Sequence, residues 1–112
     1  MNEKIEKYKS MGVEISSAME RFLDDEELFL DCAEKMLDDE NFEKLENALN
    51  NNDIQTAFDA AHTLKGVFAN MSFTPLFNEV VEIVEPLRAG KTDGCMEHYK
   101  KLCEIRDEYK KV

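Results

Sequence analysis

Positive charge is scarce in this chain: 14 lysines and arginines stand against 25 aspartates and glutamates, a formal net charge of −11 over 112 residues. A surface of that sign repels nucleic acid phosphates and anionic lipid headgroups, which sets nucleic acid and membrane aside as partners. Cysteine is sparse too. Cys32, Cys95 and Cys103 form an odd set without CxxC spacing, which argues against a disulfide framework or a zinc site and for small apolar core residues in a reducing cytoplasm. No run of about 18 apolar residues occurs, and MNEKIEKYKSMG at the start alternates charges where a signal peptide would be apolar. Together these absences predict a cytoplasmic protein. Repeats, low-complexity tracts and Gly/Ser/Pro-rich linkers are missing as well, and the length suits one hydrophobic core, so residues 1–112 read as a single domain.

What the sequence does have is helical periodicity, with no segment of period-two alternation. Ile5, Tyr8 and Met11 have weak helical spacing, stopped by Gly12. Ser17 and Glu20 have the spacing of a capping box for a short helix carrying Met19, Phe22 and Leu23, and Asp24 and Glu27 repeat the device. Behind them Leu28, Phe29, Cys32, Ala33, Met36 and Leu37 predict one buried stripe. A short amphipathic segment with Phe42, Leu45, Ala48 and Leu49 ends at Asn50-Asn51-Asn52. Asp53 suits the N-cap of a central helix with the stripe Ile54, Ala57, Phe58, Ala61, Leu64, Phe68 and Met71. Thr74 before Pro75 predicts another N-cap, for a stripe from Leu76 to Leu87 kinked at Pro86 and stopped at Gly90. A last helix carries Met96, Tyr99, Leu102, Cys103, Arg106 and Tyr109. Four long stripes joined by short loops predict an all-α protein, an antiparallel up-and-down four-helix bundle with two short N-terminal helices packed across or onto it.

The central helix carries an anomaly in AAHTLKGVFANM, residues 60–71: a glycine inside a helix costs roughly 1 kcal/mol relative to alanine, and Gly66 has no propensity reason to be there. At about 100° per residue, His62 falls roughly 120° from the centre of the apolar stripe and leans toward solvent. Gln55, Asp59, Gly66 and Ala69 share its strip, and Lys65 lies at the edge between strip and core. A glycine four residues on removes the side chain that would cover the imidazole. A free imidazole is mostly neutral at pH 7 and keeps a nucleophilic lone pair, and a lysine one turn away puts an ammonium beside any negative group it acquires. The trio His62, Lys65 and Gly66 therefore describes a site for a transferable anionic group, although an inert surface histidine and a glycine that merely lets two helices approach have the same spacing.

AHTLKG followed by AN resembles the signature of histidine-containing phosphotransfer (HPt) domains of two-component phosphorelays. The likeness extends to GVEISSAMERFLDDEELFLDCAEKML, residues 12–37, and to VVEIVEPLRAG, residues 80–90. It implies that His62 is the phosphoacceptor, that Lys65 neutralises the phosphoryl group, and that Gly66 is the gap through which a receiver domain brings its aspartyl phosphate. The partners it implies are response-regulator receiver domains and a hybrid sensor histidine kinase. The divalent ion, Mg²⁺, is expected from the receiver's carboxylates, with no cofactor or metal held by this chain. The resemblance also implies a phosphocarrier without a nucleotide site, and consistently no Walker loop, kinase glycine loop or ATP-lid motif is present. It departs from the family at Val67 and Phe68, where small residues are usual, and at Ser72, where glycine is common.

His98 has neither lysine nor glycine at the required spacing and reads as a surface or boundary residue. Asp59 and His62 make a single D-x-x-H pair, where di-iron bundles need repeated Glu-x-x-His motifs. Met19, Met36, Met71 and Met96 fall on core stripes and read as filler. Gly66, Asp59, Ala69 and Gln55 are the candidate receiver-docking residues, and the alternative to phosphotransfer is an adaptor bundle that docks receiver domains or other signalling proteins without being phosphorylated.

Overall fold

The computed structural model describes residues 2–112. It is all helix, with no strand among those residues: α1 Glu3–Ser10, α2 Ile15–Arg21, α3 Glu26–Leu37, α4 Asn41–Asn50, α5 Ile54–Met71, α6 Thr74–Arg88 and α7 Cys95–Lys110. Helices α4 to α7 form the bundle, each packed along the next, with α4 closing against α7. Short loops make neighbours antiparallel, and the register shows it. Between α5 and α6, Phe58 meets Arg88 while Lys65 meets Phe77; between α6 and α7, Glu79 meets His98 while the Ile83 carbonyl meets the Cys95 thiol.

The interior is built from Leu45, Ala61, Leu64, Phe68, Leu76, Val80, Ile83, Val84 and Leu102, all without solvent exposure. Burying one such leucine or phenylalanine stabilises the fold by roughly 1.5–3 kcal/mol, so this stripe decides which face of α5 points inward. Phe68 is fully buried and packs against Phe42 of α4, ring centroids 6.0 Å apart. Tyr99 crosses the core to donate its hydroxyl to the Phe42 carbonyl at 2.8 Å. Burial raises its phenol well above the usual range, which keeps it neutral and a donor.

Helices α1 to α3 cover the end of the bundle where α5 meets α6. Tyr8 packs edge-on against Phe73 and Tyr109, at 5.3 and 5.9 Å, and against Phe29 of α3. Tyr109 donates to the Met11 carbonyl at 2.8 Å. Gly12 has φ +94°, and a side chain there would run into Pro75 at 2.8 Å, so this turn needs glycine on both counts. At Ser72 the backbone is left-handed at φ +61° and caps α5. Arg21 donates to its hydroxyl at 2.8 Å and to the Asn70 carbonyl at 3.4 Å, which ties α2 to that strained corner.

Several sequence expectations shift. The fourth wall of the bundle is the short α4, not α3, so three N-terminal helices rather than two lie outside the bundle. Ser17 caps nothing: α2 starts at Ile15, and the Ser17 hydroxyl accepts from Arg21. The cap of α3 is Asp25, which accepts from the Leu28 amide at 3.0 Å, one residue beyond Asp24. That register leaves Leu28 half exposed and buries Phe29, Ala33, Met36 and Leu37. Leu23 belongs to the α2–α3 turn and is 88% exposed. Thr74 is already helical and Phe73 takes the cap position, with no side-chain cap bond. Helix α6 runs on for two residues past Pro86. Of the cysteines, Cys95 is buried, while Cys32 and Cys103 are partly exposed. No described helix is long and apolar enough to cross a membrane.

Candidate functional site

Helix α5 is placed by a cap that the sequence specifies. Asp53 accepts from the Thr56 amide at 3.2 Å, and hydrogen bonding from Thr56 to the charged form, its side chain first and its amide second, lowers the carboxyl's pKa. From there Ala57, Ala60, Ala61, Leu64, Phe68 and Met71 turn inward. His62, midway along the helix, is exposed, and among the described residues no hydrogen bond reaches its ring. The imidazole instead lies on the Phe58 ring, centroids 5.5 Å apart and planes 27° from parallel. Stacking holds the ring by its face and leaves both nitrogens at a free edge.

Gly66, one turn further on, borders open space: a methyl group built there would meet no atom within 4 Å. This glycine therefore does not serve close approach of another helix. Since helical side chains lean toward the N-terminus, the imidazole rests over the turn of Phe58, and the side toward Gly66 and the exposed Ala69 is left low. Lys65 is partly buried, its ammonium 6.0 Å from the centre of the Phe77 ring on α6, and no ion pair engages it among the described residues. The expected position between strip and core is the observed one.

Gln55 and Asp59 stand on the exposed strip as their spacing predicts, but they engage each other: the Gln55 amide donates to the Asp59 carboxylate at 2.9 Å. The strip thus brings together His62, Lys65, Gly66 and Ala69 as an uncovered surface, with Gln55 and Asp59 paired at its N-terminal end. Three residues escaped the sequence reading. Phe58 counted as core and is half-buried beside His62, while Phe77 and Arg88 reach the site from α6. For Phe58 the signal was available, because it lies four residues before His62. For the other two it was not, because their place depends on the α5–α6 register.

His98 lies on the opposite flank of α6, half-buried, its Nδ1 hydrogen-bonded to the Glu79 carboxylate. The boundary position matches the sequence expectation. The carboxylate partner was not foreseen, since it comes from a different helix.

No curated protein and no solved structure matches the chain. The sequence pattern of the Hpt domain matches residues 19–112, nearly the whole chain. An all-helical bundle with an uncovered histidine on its central helix agrees with that match, and the chain belongs to the Hpt domain family, whose members carry phosphoryl groups in two-component signalling.

Proposed function

We propose that the chain relays a phosphoryl group through His62 between aspartates of response-regulator receiver domains, one of them part of a hybrid sensor kinase. The observation that carries this reading is the combination at one turn of α5: an exposed imidazole whose nitrogens are unoccupied and, beside it, open space at Gly66. A receiver must bring a bulky folded surface within bonding distance of the ring, and the absent side chain makes room for it.

In the forward step a ring nitrogen lone pair of neutral His62 attacks the phosphorus of the partner's aspartyl phosphate in line. The N–P bond forms as the P–O bond breaks, and the aspartate carboxylate leaves with the electron pair. The proton on the other ring nitrogen stays, so the phosphoimidazole ring is cationic and partly offsets its own phosphoryl charge. Lys65 swings its ammonium from over Phe77 toward the equatorial oxygens, adding electrostatic stabilisation of the kind that dominates phosphoryl transfer. A divalent ion held by the receiver's carboxylates supplies the remaining charge neutralisation. Return transfer to a second receiver reverses each step. His62 is the catalytic nucleophile, Lys65 its charge partner, and Gly66 with Ala69, Gln55 and Asp59 the docking rim.

The test is to incubate the protein with a phosphorylated receiver and Mg²⁺ and to look for an acid-labile, base-stable phosphate. His62→Gln is expected to abolish it and His98→Gln to leave it. Stable receiver binding without any label would replace this reading with the non-phosphorylated adaptor.

A further inference from the structure

Phe58 is in contact with two groups of opposite role. On one side lies the His62 imidazole, at 5.5 Å and near-parallel. Also over the ring is the Arg88 guanidinium of α6, 5.2 Å from its centroid, held in turn by Glu85 through a 3.1 Å bond from Nε. A continuous set of contacts therefore runs from Glu85 through Arg88 and Phe58 to the imidazole. We propose that Phe58 is a positioning residue that fixes the plane of the His62 ring for phosphoryl transfer, with Arg88 holding Phe58 in that pose. The proposal rests on His62 being the phosphoacceptor and adds to it how the ring is aimed.

The reasoning starts from the lone pair. It lies in the imidazole plane, so an in-line attack succeeds only when that plane contains the phosphorus. The χ2 torsion of histidine is broad, and an exposed imidazole without support sweeps through orientations that point no lone pair at the partner. Most histidines are aimed by a hydrogen bond to one ring nitrogen, as His98 is by Glu79. His62 has no such bond among the described residues. A flat aromatic face beneath the ring restricts the same rotation without occupying either nitrogen, and the i−4 position of Phe58 is the one toward which a helical side chain leans. Arg88 contributes through cation–π attraction to the same ring, so two helices rather than one define the pose.

Single-turnover transfer from a phosphorylated receiver, measured over a range of receiver concentrations, separates aiming from docking. Phe58→Leu is expected to lower the saturating rate about three- to tenfold, the size of an aromatic pair's contribution, with half-saturation unchanged. Phe58→Tyr should restore the rate. Arg88→Gln, at an exposed position, should lower it about twofold in the same manner. In parallel, NMR should show ring-to-ring contacts between Phe58 and His62 that vanish in Phe58→Leu as the imidazole begins to average between rotamers. A rise in half-saturation at an undiminished saturating rate would overturn the proposal, making Phe58 a docking contact instead. If Phe58→Leu loses helicity by circular dichroism, Arg88→Gln decides the matter: unchanged kinetics there, with the ring contacts intact, overturn it. Wild-type protein that takes no phosphate at all fails the underlying reading, whereas wild-type transfer with full-rate Phe58→Leu sinks this proposal alone.

Discussion

The two histidines of the chain sit on neighbouring grooves of one bundle, and their surroundings differ in every respect that governs reactivity. His98 is half-buried between α6 and α7 with Nδ1 engaged by Glu79. His62 is exposed, engaged by its face and free at its edge. The same side chain is thus a bracing element in one place and an exposed ring with a free edge in the other. The difference lies in what each helix offers four residues away: Phe58 before His62 and open space at Gly66 after it, against Gly94 before His98, itself the helix start. Residue type alone does not separate the two. Unoccupied nitrogens and an uncovered approach do.

That contrast is broken most severely if the phosphate label follows the wrong residue. His62→Gln should remove all of it and His98→Gln almost none, as read by gel autoradiography after receiver transfer. Filling the open turn comes next. Gly66→Leu is expected to weaken transfer at least about tenfold by blocking the receiver, while raising stability by about 0.5–1 kcal/mol, because a better helix former enters a place where no atom is met. Urea unfolding checks the second half; a loss of stability would return Gly66 to the role of a packing residue. Lys65→Ala should slow transfer by several-fold with the helical signal intact, since Lys65 engages no carboxylate among the described residues. Smallest is Glu79→Gln on the other groove. It should cost roughly 0.5–1.5 kcal/mol of stability, the scale of one partly buried hydrogen bond, and leave transfer untouched.

Much of this was legible from residues alone, and the failures have a common cause. Asp53 as cap, the inward stripe from Ala57 to Met71 and the outward lean of His62 all follow from local spacing on one long helix, where a 100° period accumulates little error. Caps at Ser17, Asp24 and Thr74 were misplaced by one to three residues: at α3 the neighbouring Asp25 takes the bond, while α2 and α6 have Glu14 and Phe73 at the cap position with no side-chain cap bond at all, so a capping residue type near a helix start does not fix the start. The exposure of Leu28 is the same shift seen from the core. Helix α4 became a bundle wall despite its length because Phe42 meets Phe68 of α5 and Tyr99 and Arg106 of α7, and Leu45 is fully buried beside it on the same helix, which no count of turns reveals. At the site, the residues on α5 were visible in the sequence and those arriving from α6 were not.

Tyr8 and its ring partners carry one more implication. The family pattern begins at Met19, yet the aromatic end of the bundle is roofed by a helix that precedes it, with Ile5 fully buried and Tyr8 sealed among Phe29, Phe73 and Tyr109. Trimming this polypeptide to the shared pattern would strip off that lid and leave greasy rings facing water at the end of α5 away from His62. Whoever grafts this domain into another protein must carry the leading helix along, or inherit a sticky surface that has nothing to do with signalling.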